Sequence, residues 1–410
     1  MVRCPLLEVC ARIEGHEVHY AMLREYCRGF VDWQGVLRRA EREGMAPLLR
    51  RQLLASGSLF PDTVRRSLNI LYRRHQHQAK VRSELLLEIL EICRRNQLTP
   101  IVIKGAALCH TLYPDPALRP MRDIDLLFQQ DEVDRAQELL LAAGFSQSAS
   151  PIPADHHHLP AIHKTVGELD LYVELHRGLY PHCPPYYPEV DFAYLLESSE
   201  RFMLAGVEVL TFNHEEMLHY LFQHGFRAPL SYEPYRLIHA ADIIGFVERH
   251  YHSLDWQHLQ RHYPILVRAL PLLHHISPWN FKRVPEPFLP QGERGKRREP
   301  LPFRGWPQRR FKELEGKERL AGVLSATFIP PLWWLKVYYG LGSWWGVVVA
   351  RCILHPRQVF WWVHLYSHFV IVTPQQHSPG AESRLHSLRQ FLLSSWNKAL
   401  GVWRKLRSLS

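Results

Sequence analysis

The chain has 410 residues, 46% of them hydrophobic and 22% charged, with a formal net charge of +10 at pH 7. This is enough length for two or three domains and enough apolar surface for a substantial core, so wholesale disorder is excluded. Seven cysteines, odd in number and without a Cys-x-x-Cys pair, argue against a disulfide framework or a thiolate zinc site and fit a reducing cytoplasm.

Charge arrives early, at Glu8 and Arg12, which speaks against a signal peptide and for a cytoplasmic protein. Residues 1–98 are expected to form an N-terminal helical region. Trp33, Val36, Leu37 and Ala40 recur at spacings of three and four, and Leu85, Leu86, Ile89 and Leu90 repeat the pattern further on.

Residues 99–212 alternate short apolar runs with turns and predict a mixed α/β core. Ile101–Ile103 is an apolar strand that runs into Lys104-Gly105. A short helix follows, and then a second apolar run that opens with Asp123 and Asp125. Side chains two apart on a strand share a face, so both carboxylates point to one place while Ile124 points into the core. Paired carboxylates beside a glycine turn at a helix N-terminus suit a hard cation and a phosphate. Residues 133–143 predict a helix, with Gly144 as its C-cap. A loop rich in Pro and His covers 150–163. Residues 168–176, ELDLYVELH, then alternate strictly: Asp170, Tyr172, Glu174 and His176 share one face, and Leu169, Leu171, Val173 and Leu175 the other. Residues 207–212 predict another strand.

Residues 213–275 return to helix, with Asn213 and Glu216 spaced as a capping box. Residues 276–322 are rich in Pro, Gly and Arg and predict a basic linker. Such a charge run can meet nucleic acid, anionic lipid or only solvent. With few aromatics interleaved (Phe303, Trp306, Phe311), nucleic acid is not favoured.

Residues 323–410 form an apolar, Trp-rich C-terminal region ending in an amphipathic helix over 382–409. Lys336 and Arg351 bracket an uncharged run of 14 residues, too short for the roughly 20 needed to span a bilayer. Paired Trp residues with flanking Lys and Arg suit helices lying in a membrane interface. The other reading is internal packing or an oligomer interface.

Three features raise the value of the Asp-x-Asp pair. Lys104-Gly105 sits at the turn before it. Arg119 and Arg122 lie just upstream, where they could neutralise phosphate oxygens. Glu174 lies on the polar face of a later strand. Three carboxylates on neighbouring strands suit one or two Mg²⁺ (or Mn²⁺) ions. His156, His157, His158, His163, His176 and His182 match no standard zinc spacing, and a polar loop is the preferred reading for that run. No Gly-x-Ser-x-Gly elbow is present, so a hydrolase triad is unsupported.

Ile-x-Ile-Lys-Gly-x-Ala-Leu from Ile101, then Tyr113-Pro114, Arg119, Asp123-Ile-Asp-Leu-Leu and Glu174-Leu-His176 stand in an order that resembles the uncharacterised bacterial nucleotidyltransferases, a branch of the polymerase-β-like superfamily. The likeness runs from about residue 20 to 275. It takes in Asp32-Trp33, His224-Gly225 and Asp242. It implies an α+β fold, a mixed sheet flanked by helices. It also implies transfer of a nucleoside monophosphate from an NTP to a hydroxyl-type acceptor. Carried over, Asp123, Asp125 and Glu174 are the catalytic metal ligands; from their placement around the turn, Lys104, Gly105, Arg119 and Arg122 are expected to meet the nucleotide. Two departures stand out. The superfamily usually has Gly-Ser at the phosphate turn, where this chain has Lys104-Gly105-Ala106, and its third carboxylate is usually Asp. The alternative is therefore a catalytically degenerate nucleotide-binding protein that docks on a membrane or a biosynthetic complex through its C-terminal region.

Overall fold

The computed structural model describes residues 4–148, 152, 156–180, 191–225, 236–285, 328–330 and 332–360. Helices α1 (Pro5–Val9), α2 (Glu17–Cys27), α3 (Trp33–Glu43), α4 (Ala46–Ala55) and the long α5 (Asp62–Arg95) come first. Asp32 caps α3 by accepting the Gly35 amide at 2.9 Å. On α5 the stripe residues Leu85, Leu86 and Ile89 are buried and Leu90 is half-buried, and Val64, Leu68, Val81 and Cys93 are buried along the same helix.

The central layer is one sheet. Its strands are β1 (Ile101–Ile103), β2 (Asp123–Leu127), β3 (Ser146–Gln147), β4 (Ile162–Val166), β5 (Leu169–His176), β6 (Glu200–Leu204) and β7 (Val207–Thr211). They lie in the order β3-β4-β5-β2-β1-β7-β6. β2 pairs parallel to β5 and antiparallel to β1, while β1 pairs parallel to β7, so the sheet is mixed. Between the strands run α6 (Lys104–Thr111), α7 (Val133–Ala142) and α8 (Phe192–Glu197). Gly144, at φ 90°, ends the α7 segment in a left-handed conformation open to glycine.

β4 and β6 are strands that the hydrophobic pattern does not single out. Both belong to tight hairpins. Leu204 pairs with Val207 across Ala205-Gly206, which both adopt positive φ, and Val166 pairs with Leu169 across Gly167-Glu168. Positive φ at both central residues matches the right-handed twist of the flanking strands. An Ala in that role is a weak turn signal in a sequence.

Beyond the sheet come α9 (His214–Gly225), α10 (Leu237–His250), α11 (Trp256–His262) and α12 (Pro264–Ala269), followed by a 3-10 turn at Leu270–His275. The Glu216 amide donates to Asn213 Oδ1 at 2.9 Å at the start of α9, as the capping pattern predicts. Ser277, Trp279 and Val284 are buried. Ser277 Oγ donates to Val9 O at 2.9 Å, tying this segment to the chain's first helix. The rest of the basic segment, 286–327, and the tail from 361 lie outside the described residues. The C-terminal region contributes α13 (Leu332–Tyr339) and α14 (Trp344–Val349), which runs on into a π turn at Ala350–Leu354. No described helix is long and apolar enough to cross a membrane.

Candidate active site

β1 is three residues long and wholly buried, so its end is fixed and the next residue must turn. That residue is Lys104, at φ 53°, a left-handed conformation that L side chains seldom adopt. The turn aims the Lys104 side chain back across the sheet, and Nζ donates to Asp125 Oδ1 at 2.6 Å. Gly105 follows where space is short. A Cβ there would lie 3.2 Å from Arg119 Nη1 and 3.3 Å from Met121 Cβ.

The register of β2 on β5 assembles the carboxylates. Asp125 pairs with Glu174, and Asp123 pairs with Tyr172. Asp123, Asp125 and Glu174 thus sit on one face of two adjacent strands, as alternation predicts. His176 lies two residues beyond Glu174, fully buried. Its Nε2 is 2.9 Å from Asp125 Oδ1 and 3.6 Å from Glu174 Oε2. Asp125, Glu174 and His176 each offer an atom within 4.8 Å of the others.

Charge is unevenly shared among these groups. Burial opposes ionisation of Asp125, but Lys104 and His176 outweigh it and hold the carboxyl well below its usual range. Burial likewise opposes the Lys104 charge, and Asp125 outweighs it, so the amine stays protonated. Glu174 is held below its usual value; burial acts against this, and the hydrogen bond from His176 prevails. His176 is raised, because its bonds to Asp125 and Glu174 overcome burial and the repulsion from Lys104. Asp123 goes the other way. Burial, then the charges of Asp125 and Glu174, push it up to about 6, with Lys104 only partly compensating.

Arg119 and Arg122 occupy different surroundings. Arg122 is exposed at the head of β2. Arg119 is buried, with Nε 2.8 Å and Nη2 2.7 Å from the two oxygens of Asp242 on α10, and Tyr113 Oη donates to the same carboxylate at 2.7 Å. This fork holds α10 against the Gly105 turn, so Arg119 supports the site from behind.

Several groups around the site are not among the site residues expected from the sequence. Arg82, on α5, is half-buried; burial lowers its pKa while the charge of Asp123 raises it, and among the described residues its guanidinium has no hydrogen-bond or ion-pair partner. Tyr220 is buried on α9 beside Lys104, and His224 follows one turn on with its side chain exposed. Burial raises the Tyr220 hydroxyl, with the charges of Lys104 and Asp125 also acting. A polar tip inside an apolar helix stripe is the sequence cue that points to Tyr220. His156, His157 and His158 cluster at the end of β5, with ring centroids 4.2–5.0 Å apart and two of the three ring pairs edge-on.

A family model described as an uncharacterised nucleotidyltransferase matches residues 30–265, a span that holds every strand and each of these side chains. No curated protein matches the chain. Solved structures similar to it include the two that follow. The antibiotic-resistance factor ANT(2'')-Ia is 15% identical, with a TM-score of 0.31 over 48% of this chain and 98% of that one. An antigenic nucleotidyltransferase-like protein from Paracoccidioides brasiliensis is 16% identical, with a TM-score of 0.28 over 52% of this chain and 96% of that one. At these scores the fold stands on its own strand order and register.

Proposed function

Because the chain belongs to that nucleotidyltransferase family, we propose that it moves a nucleoside monophosphate from an NTP to a hydroxyl-type acceptor and releases pyrophosphate, with Mg²⁺ or Mn²⁺ as the metal. The observation that carries this reading is the Asp125–Glu174 register, with Asp123 one alternation upstream on the same face. Three carboxylates meet Lys104 and His176 here, and burial, then the charges of Asp125 and Glu174, raise the Asp123 carboxyl. All-oxygen donors of this kind fit a small hard cation.

Asp123, Asp125 and Glu174 would hold the metal, which when bound would draw charge from the nucleotide phosphates. Lys104 keeps Asp125 ionised and in place. The acceptor oxygen attacks the α-phosphorus, the bond to the β-bridging oxygen breaks, and pyrophosphate leaves. Glu174, ionised at neutral pH, accepts the hydroxyl proton. Arg82 and Arg122 supply positive charge for the phosphates, and Gly105 leaves the turn free of a side chain.

Purified protein supplied with labelled NTPs, Mg²⁺ and candidate acceptors is expected to release pyrophosphate. The Asp123→Ala, Asp125→Ala double variant should lower the rate by at least about a thousandfold, the scale of losing a principal catalytic group. Turnover that survives the double variant would overturn the assignment. Nucleotide binding without turnover would favour the degenerate reading instead.

One observation favours a docking role for the C-terminal region alongside this activity. Trp344 and Trp345 are 74% and 75% exposed, with Ile353 and Phe360 also uncovered on the same stretch. Paired exposed Trp residues suit a membrane interface. Association with anionic liposomes in a flotation assay, lost on Trp344→Ser with Trp345→Ser, is the expected result.

A further inference from the structure

The sequence makes His156-His157-His158 look like a solvated polar loop, and the structure places it otherwise. Its backbone is fastened to the end of β5. The Leu159 amide donates to Leu175 O at 2.9 Å, and the Arg177 and Gly178 amides both donate to His157 O, at 3.0 and 3.1 Å. Arg177 Nε donates to His156 O at 2.8 Å. His158 and His176 form an antiparallel bridge. All three rings are partly buried, and each offers a nitrogen within 4.8 Å of the other two.

Two nitrogens lack the partners that burial normally demands. His157 Nδ1 is buried and has no hydrogen-bond partner among the described residues, and the same holds for Nδ1 of the fully buried His176. The His176 ring lies 5.2 Å from that of His158 and 5.6 Å from that of His157. His158 Nδ1 lies 2.7 Å from Leu159 O, an arrangement in which Nδ1 donates and Nε2 keeps its lone pair.

We propose that His156, His157 and His158 form a binding site for one borderline transition-metal cation, of the Zn²⁺ class, beside the carboxylate site and separate from it. An imidazole set selects Zn²⁺, Co²⁺ or Ni²⁺ over Mg²⁺, which prefers oxygen. Ligand nitrogens around a tetrahedral Zn²⁺ lie about 3.3 Å apart, given metal–nitrogen distances of about 2.0–2.1 Å. The three rings therefore need to close by at most about an ångström and a half. Metal binding requires neutral imidazole. Burial, with repulsion from neighbouring histidines, lowers all three rings, His156 to about 4, and the site lysine adds to the effect at His157 and His158. On the far side His176 contacts Asp125 through Nε2, as residues that steady a metal ligand shell commonly do. An ion at the triad would thereby be coupled mechanically to the carboxylate that Lys104 holds.

The test uses the full chain with no polyhistidine tag. Equilibrium dialysis against Zn²⁺, with excess Mg²⁺ present, is expected to give one Zn²⁺ per chain. The His156→Gln, His157→Gln, His158→Gln variant should lose it, and Asp125→Asn with Glu174→Gln should keep it. X-ray absorption at the zinc edge of the loaded wild-type protein guards against a variant that fails to fold, and should show at least three imidazole nitrogens. No stoichiometric Zn²⁺ in the wild-type chain, an oxygen-only shell, or loss in the carboxylate variant but not in the histidine variant would each overturn the proposal.

Discussion

Two buried clusters of charged groups lie on either side of Gly105, and they are built differently. Behind it, Arg119 meets Asp242 with two hydrogen bonds, and Tyr113 adds a third. Burial works against the Asp242 charge, yet Arg119 and His239 hold the carboxyl down to about 2. In front, Lys104 and His176 face three carboxylates, and Asp123 rises to about 6. The first cluster is matched charge for charge and donor for acceptor. The second is left in deficit of positive charge. Desolvating an ion is costly unless it is paired, so the proposed metal ion would relieve the second cluster and has nothing to offer the first.

The largest expected effect lies in the matched cluster. Asp242→Ala strands a buried guanidinium and should lower unfolding free energy by about 3–5 kcal/mol in urea titrations. Replacing the set with apolar groups, Arg119→Met, Asp242→Leu and Tyr113→Phe together, should recover most of that loss, because no charge is then left unpaired. If the single and triple variants are equally unstable, Arg119 does more than brace α10, and the contrast between the two clusters fails.

The deficient cluster should answer in the opposite sense. The folded-state Asp123 carboxyl sits near about 6, against 3.8 in a model compound. A raised acid pKa means that the folded state binds the proton more tightly, so stability falls as pH rises between those values. Below about pH 4 Asp123 is protonated in both states and the penalty is absent; above about pH 6 it is complete. Asp123→Asn should therefore be more stable than the wild type by about 1–2 kcal/mol at pH 7.5 in chelator, after discounting for the partial exposure of the group. The gap should close near pH 4, and Mg²⁺ with nucleotide should narrow it by stabilising the wild type alone. Nucleotidyl transfer should be lost in the same variant. A variant less stable than wild type at both pH values would mean that Asp123 carries no excess charge.

Much of this was legible in the chain. Asp123, Asp125 and Glu174 could be placed on shared faces because the period-two pattern of β2 and β5 is strict, and a strand periodicity fixes facing without any knowledge of neighbours. Which strands would pair, and in what register, is a non-local outcome, and it is the register that sets Asp125 opposite Glu174. The same limit explains Arg82, which comes to Asp123 from a helix some forty residues upstream, and Arg119, whose partner Asp242 lies 123 residues away. The His156–His158 run looked like loop because its backbone bonds to β5 cannot be read from composition. β6 was missed because Ala205 stands where a glycine or asparagine would have announced the turn.

The smallest expected effect separates chemistry from backbone at Lys104. Its φ of 53° lies where an L side chain crowds its own carbonyl, at about 1–2 kcal/mol. Lys104→Ala and Lys104→Gly both remove the ammonium from Asp125, so both should lose stability and activity. Only the glycine relieves the backbone, and it should be about 1 kcal/mol the more stable of the two, less whatever the unfolded glycine gains in freedom. Strain held at a functional turn persists only when something else over-determines it. Here the candidate is the 2.6 Å bond from Nζ to Asp125 on the neighbouring strand. If alanine and glycine prove equally stable, the left-handed turn is relaxed in the variants, and the ion pair alone imposes it in the native protein.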